Sequence, residues 1–235
     1  MKRFTLIALL LTSFALAEGV PEDRSLFWGG RISFLMGGAG NDEPVKGVFS
    51  VSSDKMEEFE MFKSGSLGLE LGALGWYRLN NLFGFEGEAN LRWVFVNLNE
   101  NIYNRPLNGE FDAATDASLL VWSFDVPVVF RVTPTPDYYL EAGAQFNVNL
   151  GGTISSDEES FDFDVEPLGW SLVFGAGALS SNPSKNLLWS AGIRLVIDMT
   201  RIEKEGIVEI RKGAAYREAS PLNLWNIQLN LAFYF

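Results

Sequence analysis

The chain has 235 residues, and its 18 lysines and arginines against 30 aspartates and glutamates give a formal net charge of −12. So acidic a balance argues against nucleic acid and against anionic surfaces as partners. Cysteine and histidine are both absent, which excludes disulfides, thiolate chemistry, metal sites built on either residue, and the commonest general base.

The first element in the chain is an expected secretory signal peptide over residues 1–17. Lys2 and Arg3 form a charged start, residues 4–14 an apolar stretch, and residues 15–17 a small-x-small cleavage site. The apolar stretch is too short to cross a membrane as a helix, which takes roughly 20 residues. We therefore expect residues 18–235 to form a single mature domain.

Eight segments follow in which apolar and polar residues alternate, and the third is the clearest, with Phe83, Phe85 and Leu91 set against Glu86 and Glu88. Alternation with period two is typical of strands that have two different faces. The segments are longer than the five or six residues usual in soluble sheets and match the roughly 9–11 residues of a tilted membrane-spanning strand. The segments cover residues 28–36, 67–79, 83–95, 120–132, 138–148, 168–177, 189–200 and 225–235. The pattern predicts an all-β fold, an eight-stranded antiparallel transmembrane up-and-down β-barrel.

The connections between these segments alternate between short and long. Short, turn-rich links follow the second, fourth and sixth segments, whereas residues 37–65, 98–117, 151–167 and 202–221 form long links. Outer-membrane barrels have short periplasmic turns and longer extracellular loops. The alternation predicts four long extracellular loops, an outer-membrane location and periplasmic positions for both chain termini.

The polar faces of the segments carry a nearly balanced set of charges. An eight-stranded barrel has room inside only for its own side chains, and an unpaired buried ion costs several kcal/mol. We therefore predict a salt-bridge network that fills the interior, with a conduction path or proton relay as the alternative. The residues of this lumen charge network are Arg31, Glu70, Arg78, Glu86, Glu88, Arg92, Asp125, Arg131, Glu141, Arg194 and Asp198.

The orientation of the two faces is the main alternative that the alternation leaves open. A soluble ligand-binding barrel of the lipocalin type shows the same period but turns its apolar residues inward. Aromatic residues near the ends of the segments, such as Trp28, Tyr77, Trp122, Tyr138 and Trp225, favour the membrane version, because amphipathic rings prefer the headgroup boundary.

Metal binding and catalysis have little support in the sequence. The link over residues 151–167 is rich in aspartate and glutamate, whose oxygens suit calcium or magnesium, but the spacing matches no known calcium loop. A solvated acidic loop is the preferred interpretation, and we predict no metal site and no cofactor. Ser/His/Asp and Cys/His arrangements are impossible, so we expect no enzymatic activity.

Residues 123–150, SFDVPVVFRVTPTPDYYLEAGAQFNVNL, resemble the PorT-like outer-membrane β-barrel family, which is related in architecture to OmpX and the opacity-type barrels. The matching motifs are the acidic-aliphatic-proline strand at 125–127 and the aromatic-Leu-Glu-Ala-Gly strand at 139–143, whereas Ala144 replaces a frequent proline. Pro127 cannot donate a ladder hydrogen bond, so we expect a bulge or the end of pairing there. The resemblance implies that the proline is tolerated.

The end of the chain looks like the closing-strand signal that the barrel assembly machinery reads during insertion, with Phe233 and Phe235 as its aromatic residues. The expected partners are therefore that machinery and outer-membrane lipid. The leading functional hypothesis is a non-enzymatic barrel with a structural or surface-contact role. An accessory component of a secretion or envelope-assembly complex, with a protein partner there, and a small-solute pore are the alternatives.

Overall fold

The structure is a computed structural model. It describes residues 25–39, 45–52, 55–105, 111–156, 160–163, 165–182, 187–200, 216–218 and 224–235. The predicted signal peptide and the start of the expected mature domain lie outside these residues. Among the described residues, there is no helix with the length and apolar character needed to cross a membrane.

The described chain folds into antiparallel strands. Their bounds are β1 Leu26–Ala39, β2 Val45–Ser52, β3 Lys55–Arg78, β4 Phe83–Arg105, β5 Phe111–Thr135, β6 Tyr138–Ser156, β7 Ser160–Phe163, β8 Leu168–Asn182, β9 Leu187–Asp198, β10 Tyr216–Glu218 and β11 Leu224–Tyr234. Eight of these form the wall of a barrel, namely β1, β3, β4, β5, β6, β8, β9 and β11. The short strands β2, β7 and β10 pair outside this ring.

The wall closes on itself because β1 pairs with both β3 and β11. Ile32 lies opposite Leu71 on one side and opposite Leu231 on the other. The wall strands from β3 to β9 each pair with the wall strands before and after them in the chain, and β11 pairs with β9 and β1. The predicted all-β, eight-stranded, antiparallel up-and-down barrel is therefore confirmed, and each of the predicted segments coincides with a wall strand.

The two faces of the wall differ sharply in chemistry. Outward-facing apolar side chains are exposed on all eight wall strands, with Trp28 and Leu168 reaching 64% and 67% exposure. Charged side chains lie on the inward face, where Glu86 and Arg131 are both 0% exposed. The lipocalin-type alternative requires the opposite orientation, so it is wrong.

The two short connections that the structure describes, β3–β4 and β5–β6, are tight turns at one end of the barrel. Between β3 and β4, the Leu79 amide donates to the Phe83 carbonyl at 2.9 Å. The Asn80 side chain fixes this turn, because its Oδ1 accepts from the amides of Leu82 and Phe83 at 2.9 and 2.8 Å. We call this end of the barrel the short-turn end.

The long connections differ from the expected loops, because much of the links 37–65, 98–117 and 151–167 consists of paired strand, and residues 216–218 of the fourth link form β10. The predicted link 98–117 is mostly a continuation of the β4–β5 ladder, in which Leu98 lies opposite Ala117 and Tyr103 opposite Phe111. Sequence alternation misses this extension because polar residues such as Asn99, Glu100 and Asn101 occur on both faces there. At about 3.3 Å per residue, the 25-residue β5 is about 80 Å long, so the hairpins rise well beyond the ring.

Pro127 interrupts the wall without a bulge. The β4–β5 pairs Gly87–Val128 and Asn90–Asp125 keep one register, and only the two pairs between them are missing. The Thr133 amide donates toward the β4 side, to the Leu82 carbonyl at 2.8 Å. In a strand the backbone nitrogens of every second residue point to the same side, and Pro127 is six residues before Thr133. The nitrogen of Pro127 therefore faces Glu88 of β4. Of the two predicted outcomes, a bulge does not occur, whereas the loss of pairing does occur but only on the β4 side, since Pro127 still pairs with Gln145 of β6.

Candidate functional site

The interior of the barrel holds all of the charged residues that the sequence assigned to the lumen charge network. Each of them is at most 8% exposed. Apart from Arg78, their direct ion pairs divide them into two groups, which the amide of Asn90 links. We call the group of Arg31, Glu86, Glu88, Arg131, Glu141 and Arg194 the lower cluster, and the group of Glu70, Arg92, Asp125 and Asp198 the upper cluster.

Glu86 is the centre of the lower cluster. Its Oε1 atom accepts from the Nη2 atoms of Arg31 and Arg131, both at 2.7 Å, and of Arg194 at 3.2 Å. Its Oε2 atom accepts from the hydroxyl of Tyr234 at 2.8 Å. One carboxylate thus ties together three arginines that stand on three different wall strands.

The two other carboxylates of the lower cluster complete the charge balance. Glu88 accepts from Arg31 Nη1 at 2.5 Å and lies 2.6 Å from Arg194 Nη2. Glu141 accepts from Arg131 Nη2 at 2.9 Å and from Arg194 Nε. Three arginines and three glutamates from β1, β4, β5, β6 and β9 therefore form one formally neutral group that crosses the interior.

Aromatic side chains close the short-turn side of the lower cluster. The guanidinium of Arg131 lies over the ring of Tyr139, 4.1 Å from its centroid, and 5.4 Å from the centroid of Trp76. Both rings belong to a buried apolar cluster with Phe27, Leu74, Leu179, Leu188, Ala232 and Tyr234. Cation–π contacts of this kind are strongest where water is excluded, so the cluster adds to the stabilisation of Arg131.

The upper cluster has a single arginine. Arg92 Nε lies 2.9 Å from Asp125 Oδ2 and donates to Ser123 Oγ at 2.9 Å, and Arg92 Nη1 is 4.0 Å from Asp198 Oδ1. Gln145 donates a further hydrogen bond to Asp125 at 2.9 Å. One positive charge is thus shared between two aspartates.

Glu70 completes the upper cluster through amide donors rather than through an arginine. Asn90 Nδ2 donates to its Oε1 atom at 2.8 Å and to Glu88 at 2.9 Å, so this amide joins the two clusters. Gln228 Nε2 lies 3.4 Å from the other oxygen of Glu70. The upper cluster therefore holds three carboxylates and one guanidinium, and amides supply the remaining donors.

Arg78 lies at the short-turn end, where it lines a cavity together with Trp76, and it makes an interaction within the protein. Of the acidic residues in the link 151–167, Asp162 is exposed and Glu166 is half-buried, whereas 157–159 and 164 lie outside the described residues. No group of three or more metal-ligating residues occurs in the described part of the chain. Phe233 and Phe235 are on the outward face, 40% and 49% exposed.

Sequence reasoning missed the interior aromatics, because it assigned aromatic residues to the outer surface. Trp76 and Tyr234 are fully buried inside the barrel although their neighbours Tyr77 and Phe233 point outward. The alternation could have located them, because each is adjacent in sequence to an outward-facing aromatic residue and must therefore point inward. Position in the two-residue repeat therefore predicts which face of the wall a side chain occupies better than residue type does.

Two interior tyrosines form a matched pair for a stability prediction. Tyr234→Phe removes the donor to Glu86 and is expected to lower the free energy of unfolding by about 1.5–3 kcal/mol, because a charged acceptor loses a buried partner. Tyr139→Phe is expected to change it by less than about 0.5 kcal/mol, because that hydroxyl has no hydrogen-bond partner among the described residues. Equilibrium urea unfolding of both variants checks the difference, and equal losses would contradict it.

Neither a known family model nor a curated protein matches the sequence. Similar solved structures include the attachment invasion locus protein Ail of Yersinia pestis, with 14% identity, 90% of this chain and 100% of that chain covered, and a TM-score of 0.34. The outer membrane protein OprG of Pseudomonas aeruginosa has 12% identity, 90% and 96% coverage, and a TM-score of 0.39. The translocator domain of the autotransporter NalP from Neisseria meningitidis has 10% identity, 100% and 96% coverage, and a TM-score of 0.38. Likeness at this level carries no functional argument, and the fold assignment rests on the strand pairing itself.

Proposed function

We propose that the protein is an integral outer-membrane barrel whose closed, ion-paired interior gives it a structural or surface-contact role rather than a transport role. The observation that carries this proposal is the apolar outer surface, which continues around all eight wall strands. Apolar patches of more than a few hundred Å² mark membrane or protein contacts. A belt around the whole circumference fits lipid better than a protein partner, which would cover one side.

The packing of the interior supports the absence of a conduction path. The arginines and glutamates of the lower cluster are paired across the barrel, and the buried aromatic cluster around Trp76 packs against them on the short-turn side. An ion that enters would have to displace arginine–glutamate pairs that are removed from water. The pore hypothesis is therefore the weaker one.

The raised hairpins support a surface-contact role. Strands β3, β4 and β5 are 23 to 25 residues long, more than twice the roughly 9–11 residues that span a bilayer. We propose that these hairpins project from the cell surface and that the short-turn end faces the periplasm. The final aromatic residues Phe233 and Phe235 act as the insertion signal in this proposal.

A role as an accessory component of a secretion or envelope-assembly complex is the second candidate. Its support is the PorT-like motif at residues 125–127 and 139–143, which lies in β5 and β6. Loss of export of one or more secreted proteins after deletion of the gene would favour this role. Normal export of all secreted proteins would count against this second candidate and favour the structural role.

Cysteine labelling tests the location and the orientation together, because the chain has no cysteine of its own. Ser52→Cys at the end of β2 and Asn81→Cys in the β3–β4 turn place one thiol at each end of the barrel. On intact cells, a membrane-impermeant maleimide is expected to label the first and to spare the second until the outer membrane is permeabilised. Labelling of both in intact cells, or recovery of the protein without detergent, would overturn the proposal.

Planar-bilayer recording tests the closed interior. The folded protein is expected to give no discrete conductance steps, whereas a general porin reconstituted in the same way gives them. Reproducible conductance steps from the purified protein would contradict the structural role and show that the protein is a pore.

A further inference from the structure

Glu70 differs from the other carboxylates of the two ionic clusters in having no arginine partner. Each of the others lies within 4.0 Å of a guanidinium nitrogen, whereas Glu70 forms no ion pair with any described residue. Its side chain points into the barrel from β3 and is only 1% exposed. A buried carboxylate is costly unless it is paired, and such groups commonly become neutral instead. Glu70 is therefore the interior acid whose charged form has the least support.

The charges around Glu70 do not replace the missing ion pair. Asp125 and Glu88 are negative neighbours, while Arg92 and Arg194 are positive ones. Both arginines are engaged by other carboxylates, because Arg92 Nε lies 2.9 Å from Asp125 and Arg194 Nη2 lies 2.6 Å from Glu88. If Glu70 were ionised, its negative charge would stand without compensation beside two others.

The neutral neighbours on β1, β4 and β11 supply few donors to Glu70. Asn90 Nδ2 donates to its Oε1 atom at 2.8 Å and also donates to Glu88. Ser33 stands opposite Glu70 in the register, but its hydroxyl bonds to no described residue. Gln228 Nε2 is 3.4 Å from Oε2, beyond the usual 2.7–3.2 Å or so of an N–H···O bond. The Oε2 atom of Glu70 thus has only one long contact.

The amide of Gln228 has an oxygen that lacks a donor. Gln228 is 1% exposed, and its Oε1 atom accepts no hydrogen bond from any described residue. The two ends of a side-chain amide have nearly the same shape, so a half-turn exchanges the oxygen and the NH2 group. The NH2 group can then donate to Asn226 or Asn230, two residues away on the same face of β11, whose Oδ1 atoms also lack donors. The oxygen that now faces Glu70 accepts a hydrogen bond only if Oε2 carries a hydrogen.

We propose that Glu70 is a proton-binding site, whose carboxyl group stays protonated in the folded barrel and donates a hydrogen bond from Oε2 to the side-chain oxygen of Gln228. The proton is taken from solvent when the barrel forms. Strands β3 and β11 are the two neighbours of β1 in the wall, so this bond spans the closing strand from inside. Loss of the proton at alkaline pH leaves a carboxylate facing an amide oxygen, and the tie between β3 and β11 is broken.

Infrared spectroscopy of the folded protein in lipid vesicles tests for the proton directly, because the C=O stretch of a protonated carboxyl group is separate from the bands of carboxylates and amides. At neutral pH the wild-type protein is expected to show this band. Labelling of the glutamates with carbon-13 at the side-chain carboxyl is expected to shift it, whereas the same labelling of the aspartates leaves it in place. This comparison needs no substitution, so it does not depend on the folding of a variant.

Glu70→Gln is expected to remove the infrared band. The matched control is Glu58→Gln, which changes a glutamate of the same strand beyond the ring and leaves the band in place. Heat-modifiable migration on gels verifies that each variant is folded. A wild-type protein without the band, a band that moves with labelled aspartate alone, or a band retained in Glu70→Gln would each overturn the proposal.

The pH dependence of unfolding gives an independent readout. An unfolded glutamate loses its proton near about pH 4.3, so above that pH the folded protein binds one more proton than the unfolded chain and its stability falls as pH rises. The unfolding equilibrium constant of the wild type, divided by that of Glu70→Gln, is expected to rise about tenfold or more between about pH 5 and pH 7. The same ratio for Glu58→Gln is expected to stay constant.

A ratio for Glu70→Gln that is constant or falls over this pH range would show that Glu70 is ionised in the folded barrel, and the proposal would be wrong. Both measurements concern the interior of the folded protein. Their outcome is therefore independent of where the barrel resides in the cell and of the role proposed for it above.

Discussion

Replacing Glu86 by glutamine is expected to lower the free energy of unfolding by about 3–5 kcal/mol, the loss typical of removing one partner from a buried ion pair. Glu86 accepts hydrogen bonds from Arg31, Arg131, Arg194 and Tyr234. Glutamine has nearly the same shape but only one acceptor oxygen and no charge. The substitution leaves the lower cluster with three arginines and two glutamates in a place that water does not reach.

The matched control for this prediction is Glu70→Gln in the upper cluster. Glu70 is equally buried, but its side-chain contacts are with the amides of Asn90 and Gln228 rather than with an arginine. Its removal reduces an excess of negative charge, so the expected change is within about 1 kcal/mol. Equilibrium urea unfolding in lipid vesicles, followed by tryptophan fluorescence, measures both variants. Similar losses for the two would refute the central role of Glu86.

An arginine in place of Leu91 is expected to cost about 2–4 kcal/mol when the barrel is folded into lipid vesicles, the range for a charge at the bilayer midplane. Leu91 lies halfway along the part of β4 that belongs to the ring, and its outward side chain is 45% exposed. The reason for the loss is the transfer of a guanidinium into hydrocarbon. The free energy of unfolding in vesicles is the measured quantity.

Tyr138→Arg provides the control, because Tyr138 is also outward-facing, 61% exposed, but stands at the short-turn end of β6. A charge near the interface costs only about 0–1 kcal/mol. A loss at Leu91 no greater than the loss at Tyr138 would show that the apolar belt does not lie in lipid.

The wall of the barrel is predictable from the sequence because each wall strand has two environments. Residues such as Phe85 and Glu86 alternate along β4, and a shift by one residue would exchange the faces. The hairpin extensions lack this regular alternation of apolar and polar residues. At residues 98–105 polar residues occur on both faces, so the strand pairing that continues there produces no regular alternation of apolar and polar residues.

The candidate site is predictable only in part. Alternation places Arg31, Glu86 and Arg194 on the inner face, but it says nothing of their pairing, since these residues come from β1, β4 and β9 and meet across the interior. Their depths in the barrel depend on the stagger of neighbouring strands, which no local pattern encodes. The same reason hides the split into a neutral lower cluster and an acidic upper one.

The last strand of the ring also determines how the barrel can be assembled. Trp28 and Phe235 exchange backbone hydrogen bonds in each direction, so the seam is made by the two outermost described parts of the chain. Contacts between such remote residues form slowly, and until they form both seam strands present unpaired backbone groups that invite aggregation. Pairing of β1 with β11 satisfies both of these edges at once, so a barrel with a closed seam has no free edge in its wall.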